Sequence, residues 1–141
     1  MQKITPCLWC NNNAEEMVDF YKSIFPETEV LNVGRNGDKV LTMNFRLNGQ
    51  NFMALNGGPQ FPYSEAVSFF VSCDTQEQID HYWDKLTTDG GKPGQCGWLK
   101  DKFGLSWQIV PSAMGELLRR PGAMQAMLGM KKLDIAALKA A

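Results

Sequence analysis

The chain has 141 residues, enough to bury a sizeable core in one domain without disulfide or metal staples. Its apolar fraction of 44% and charged fraction of 21% are those of an ordinary globular protein and exclude a fibre, a disordered tail or a membrane-spanning bundle. The formal net charge is −1 and the basic residues are scattered, which leaves no electrostatic footprint for nucleic acid or an anionic membrane surface; small molecules or protein surfaces are the expected partners.

The N-terminal stretch MQKITPCLWC lacks the basic start, long apolar run and small-residue cleavage site of a signal peptide, so a cytoplasmic location is expected. In that setting Cys7, Cys10, Cys73 and Cys96 are expected as reduced thiols. Cys7 and Cys10 form a C-x-x-C, but on a strand residues three apart point to opposite faces, which suits neither a redox pair nor a shared metal.

Residues 4–10 read as a strand, followed by a helix whose apolar stripe is Ala14, Met17, Val18, Tyr21, Ile24 and Phe25 and which Pro26 stops. Asn13 and Glu16 have the spacing of a capping box. Three more strands are predicted at 28–34, 39–47 and 51–55, joined at Asn36-Gly37 and Asn48-Gly49, dipeptides that accept the positive φ of tight hairpins. The middle strand alternates Leu41, Met43, Phe45 and Leu47 against Val40, Thr42, Asn44 and Arg46, giving one core face and one wetter face.

Residues 57–64 (GGPQFPYS) form a linker. The pattern then starts again. Laid on LWCNNNAEEMVDFYKSIF without a gap, FFVSCDTQEQIDHYWDKL matches Asn13, Glu16, Val18, Asp19, Tyr21 and Phe25 with Asp74, Glu77, Ile79, Asp80, Tyr82 and Leu86. A strand at 66–73 thus leads into a second capped helix with Ile79, Tyr82, Trp83 and Leu86 on one face, ended by Gly90-Gly91. A short strand near Lys92 and a hairpin of 96–100 with 105–110 complete a shortened copy. From Met114 the spacing is broadly helical and rich in methionine, with Pro121 restarting a helix; this tail is expected as core packing, a lid or a dimer arm. The predicted fold is α+β, tandem βαβββ units at 1–57 and 65–111 in a curved mixed sheet, with a helical tail at 112–141.

Tandem units of this kind resemble the vicinal oxygen chelate superfamily of glyoxalase I, extradiol dioxygenases and bleomycin-resistance proteins. The stretches ITPCLW, AEEMVDFYKSIFP, CGWLKDKFGLSWQIVP and MKKLDIAAL resemble its PhnB-like branch, often labelled 3-demethylubiquinone-9 3-methyltransferase-like. The resemblance implies the glyoxalase/bleomycin-resistance fold, a homodimer and, in the metalloenzymes of the superfamily, one ligand on each of four strands. Carried over, those positions fall near Thr5 or Pro6, Ala54 or Asn56, Ser68 and Gln108, none of them His, Glu or Asp. No metal or other cofactor is therefore expected. The methyl donor that the label implies is usually held by a glycine-rich turn between a parallel strand and a helix, and the chain offers none.

The single histidine, His81, lies on the second helix and is expected as a partly exposed helix residue rather than a catalytic base. What remains is a pocket with aromatic walls and a few polar groups. Its candidate ligand-binding residues are Cys7, Trp9, Asn44, Arg46, Asn56, Ser68, Phe70, Trp98 and Gln108, with Arg46 the candidate for an anionic substrate group. Three functions fit: a small-molecule-binding protein without a usual metal site, a glyoxalase-like lyase or isomerase with an unusual metal or none, or an interaction module acting through the tail.

Overall fold

A computed structural model describes residues 3–141. The chain forms two compact units, 1–62 and 63–141. The first contains β1 (Cys7–Cys10), α1 (Ala14–Ile24), β2 (Thr28–Asn36), β3 (Lys39–Leu47) and β4 (Gln50–Asn56), with sheet order β1-β4-β3-β2. β1 runs parallel to β4 and the other pairs are antiparallel. The β3–β4 hairpin closes where Leu47 pairs with Gln50, and Asn48 and Gly49 take φ of 44° and 89° between them, as the dipeptide predicts. Ala14, Met17, Val18, Tyr21 and Ile24 of α1 are buried, as are Leu8, Phe45, Phe52 and Ala54 of the sheet. Phe45 and Phe52 stack with centroids 5.6 Å apart.

Two local expectations need correction. Asn13 is the N-cap of α1, but its side chain makes no cap bond; the Ala14 amide donates to Asn56 Oδ1 at 2.9 Å. The cap thus comes from the end of β4, which local spacing does not reveal. On β3, Val40 is buried and Leu41 is 43% exposed, the reverse of the predicted alternation. Register shifts fall between Val30 and Asn32 and between Gly34 and Arg35, and the second passes over Leu41. Such a bulge flips the faces of the residues beyond it.

The second unit repeats the plan with β5 (Ser68–Cys73), α2 (Gln76–Leu86), β6 (Lys92–Pro93), β7 (Trp98–Lys100) and β8 (Ser106–Pro111), in the order β5-β8-β7-β6. β5 is parallel to β8, and β8, β7 and β6 are antiparallel in turn. β7 starts later than predicted because Cys96 and Gly97 take φ of 57° and 85°. Thr75, not Asp74, caps α2: its hydroxyl accepts from the Gln78 amide, and Gln78 Oε1 accepts from the Asp74 amide. Of the aligned apolar pairs, Val18 with Ile79 and Phe25 with Leu86 are buried in both copies, while Tyr82 is half-buried where Tyr21 is buried, and Trp83 fills the buried place beside it.

The tail forms α3 (Met114–Leu117), α4 (Ala123–Leu128) and α5 (Ile135–Ala140), packed together around Leu117, Ala123 and Leu138. Residues 130–135 are tied to the second unit. The Met130 and Lys131 carbonyls accept from the Cys96 and Gly97 amides, Gln76 bonds both the Leu133 carbonyl and the Ile135 amide, and Leu133 is fully buried. Lys132 Nζ lies 2.9 Å from Asp80 Oδ1, which lowers the Asp80 pKa and raises that of Lys132 from their ordinary values. Among the described residues no helix is long and apolar enough to cross a membrane.

Candidate functional site

On the face of the second sheet turned away from α2, strand register builds two rows. Phe70, Gln108 and Trp98 sit side by side in one, and Ser68, Ser106, Lys100 and Lys92 in the other. The opposite face carries Cys73, Leu99, Trp107 and Ile109, all buried. Gln108 Nε2 donates to Ser68 Oγ at 2.9 Å, joining the rows. Phe70 is 61% exposed, while Trp98 and Gln108 are half-buried. Trp98, Lys100 and Ser106 also line a cleft of about 260 Å³ with Glu65, Lys92 and Pro93.

The rest of the cleft follows from the hairpin below it. Asp101, 2% exposed, accepts from the Phe103 and Leu105 amides and from Trp107 Nε1, at 2.9, 3.1 and 2.9 Å. That carboxylate fixes the turn and hence the β7–β8 register. Lys100 Nζ lies 2.6 Å from Glu65 Oε1, and the ammonium holds the Glu65 carboxyl below its usual range, by hydrogen bonding first and charge second. Ser106 is 1% exposed, and its hydroxyl is the only buried side-chain polar atom without a partner among the described residues.

Four of the nine predicted residues, Ser68, Phe70, Trp98 and Gln108, thus come together on this sheet. The other five belong to the first unit. Cys7 is exposed and Cys10 buried, so their thiols point apart as expected. Trp9 Nε1 donates to the Gly58 carbonyl at 2.9 Å, and the indole meets Phe61 edge-on at 4.8 Å. Asn44 is half-buried on β3, in register with Asn32 and Met53. Arg46 is already engaged: Nε donates to Asn51 Oδ1 at 2.9 Å and Nη1 lies 3.4 Å from Glu29 Oε2. Asn56 spends its amide on the α1 cap and on the Val40 carbonyl. Ala54, at a carried-over ligand position, is fully buried.

Lys100, Ser106 and Glu65 were not selected from the sequence. Ser106 alternates with Gln108 and so shares its face, a legible signal; its burial and missing partner are not legible. Among the described residues no three His, Cys, Asp or Glu side chains come together as a metal site would require. His81 is exposed, with its ring against Tyr82 at 5.1 Å.

Burial raises the Cys7 thiol pKa above its ordinary value, and burial with the Asp74 carboxylate pushes Cys73 up to about 11. The thiolate is the nucleophile, so at pH 8 the exposed Cys7 and the half-buried Cys96 are expected to react with a disulfide reagent ahead of the two buried thiols, Cys7 more slowly than a free thiol. Cys73 and Cys10 are expected to react at least ~100-fold more slowly until denaturant is added, in line with their burial. Mass mapping of the labelled native protein checks the order.

A family model described as 3-demethylubiquinone-9 3-methyltransferase matches residues 2–110. The chain belongs to this PhnB-like family. A solved PhnB protein of Bacillus cereus, named for the same methyltransferase, is 33% identical, with 78% of this chain and 99% of that one covered at a TM-score of 0.72. A Pseudomonas aeruginosa protein covers 79% of this chain and 98% of its own at 18% identity and a TM-score of 0.65. The fosfomycin resistance protein of Listeria monocytogenes, solved with Mn(II) and sulfate, covers 84% and 98% at 14% identity and a TM-score of 0.60. These last two share the fold of the PhnB-like chain. Among curated proteins none matches it.

Proposed function

We propose that this PhnB-like protein holds a small molecule on the open face of its second sheet, without a divalent metal. One observation carries the reading: Phe70 stands largely in water in register with Gln108 and, across it, Trp98, which leaves an aromatic wall beside a hydroxyl–amide pair. That combination of apolar surface and a few convergent polar groups suits a ligand. The donors on this face do not fit a divalent ion, because Ser68 and Gln108 are neutral and already bonded to each other.

The family's methyltransferase name finds no support in the strand-to-helix turns. Both parallel strands, β1 and β5, lead into their helices through residues without glycine, Asn11-Asn12-Asn13 and Asp74-Thr75, so neither turn provides the usual nucleotide cradle. The reading includes a homodimer, as the family resemblance implies.

Thermal unfolding in 1-naphthamide, a neutral aromatic amide, and in Mn(II), Zn(II) or Mg(II) tests the proposal. At 100 Kd the amide is expected to raise Tm by about 5 °C, with a smaller rise at the same concentration for Gln108→Ala. The metals are expected to leave Tm unchanged. A rise of several degrees with a metal, reversed by chelator, would instead support the glyoxalase-like lyase or isomerase.

A further inference from the structure

We infer that the ligand of this site is a small organic anion, a carboxylate joined to an apolar body, seated in the cleft between Lys92, Lys100 and Ser106. The inference rests on the proposed binding face and names the charge of what it takes. Lys92 and Lys100 pair directly across β6 and β7, so two ammonium-bearing side chains share one row and one cleft. Like charges directly opposite each other destabilise a sheet. Glu65 offsets only one of them, and Lys92 has no ion pair among the described residues.

The next residue in that row is Ser106, paired with Lys100 in the β7–β8 register. Its hydroxyl is buried and unpartnered, on a residue that lines the cleft. Buried polar groups are nearly always hydrogen-bonded, so this donor lacks a counterpart, which a ligand oxygen would supply once a small side-chain shift opens the hydroxyl to the cleft. The Glu65 carboxylate, 2.6 Å from Lys100 Nζ, shows which group suits the position. Both partners are well exposed, so water-screened exchange of Glu65 for a ligand carboxylate costs little. Trp98 lines the cleft and stands beside Gln108, joining the charged end to the aromatic face.

Calorimetric titration of the full chain with 1-naphthoate and with 1-naphthamide, which share a ring system and differ in charge, tests the inference. The wild type is expected to bind the naphthoate at least tenfold more tightly. Lys100→Met, which keeps much of the apolar stem, is expected to abolish that preference by weakening naphthoate binding at least tenfold. Glu65→Gln removes the competing carboxylate and should tighten naphthoate binding several-fold. Equal affinity of the wild type for both compounds, or an intact preference in a folded Lys100→Met, overturns the inference while the neutral-face reading stands. Absence of binding by both compounds overturns the two together.

Discussion

Replacing Asp101 with alanine is expected to destabilise the protein by about 3–5 kcal/mol, because three N–H donors would lose one acceptor and a stranded buried donor costs roughly 1–3 kcal/mol. Leu105 and Trp107 are both buried, so water reaches their donors poorly. Asp101→Asn separates charge from geometry. Its one remaining carbonyl can serve the Phe103 and Leu105 amides as Oδ1 does now, but the NH2 then faces the indole N–H, donor against donor. A loss of roughly 2–3 kcal/mol is expected for the amide. Urea unfolding followed by tryptophan fluorescence measures both, and a loss below about 1 kcal/mol for the alanine variant would mean that water replaces the carboxylate.

The same substitution bears on the site. Asp101 sets the turn that places Trp98 opposite Gln108 and Lys100 opposite Ser106. A folded Asp101→Asn protein should therefore show weakened naphthamide and naphthoate binding alike.

The sequence made the turn visible as Asp-Lys-Phe-Gly but gave no sign of the buried carboxylate. That Trp107 points its N–H at Asp101 depends on side-chain direction across a hairpin. Features set by local chemistry were legible: the repeated helix stripes, Asn48-Gly49, and the shared face of Ser68, Phe70 and Gln108. Features set by distant partners were not. Asn13 and Asp74 have the right chemistry for caps, but Asn56 takes one role from 42 residues away and Thr75 takes the other from the next position. Arg46 stands out in the sequence as a candidate for an anionic group because nothing local shows Glu29 and Asn51 closing on it across the sheet. The bulge at Leu41 has no sign on its own strand; its one local mark is Gly34, on the facing strand at the register shift.

Gly97→Ala, compared with Gly104→Ala, tests whether the tail is part of the second unit's structure. Both glycines have left-handed φ, 85° and 90°, so an alanine at either is expected to cost about 1–2 kcal/mol in backbone strain. At Gly104 a Cβ would meet nothing within 4 Å. At Gly97 it would stand 2.9 Å from the Ile109 carbonyl oxygen and 3.0 Å from Leu133 Cδ1. Overpacking of that kind adds about 1–3 kcal/mol, so Gly97→Ala should lose about 3 kcal/mol against about 1–2 for Gly104→Ala. Leu133 is the buried anchor of residues 130–135, and its displacement should release the bonds beside it. Hydrogen exchange should accordingly speed up at Cys96, Gly97 and Ile135, whose amides bond Met130, Lys131 and Gln76, but not in the first unit. Unchanged exchange at Ile135 with the full stability loss would place the clash on Ile109 alone. The tail would then be held by Gln76 and the α3–α5 packing rather than by its contact at Gly97.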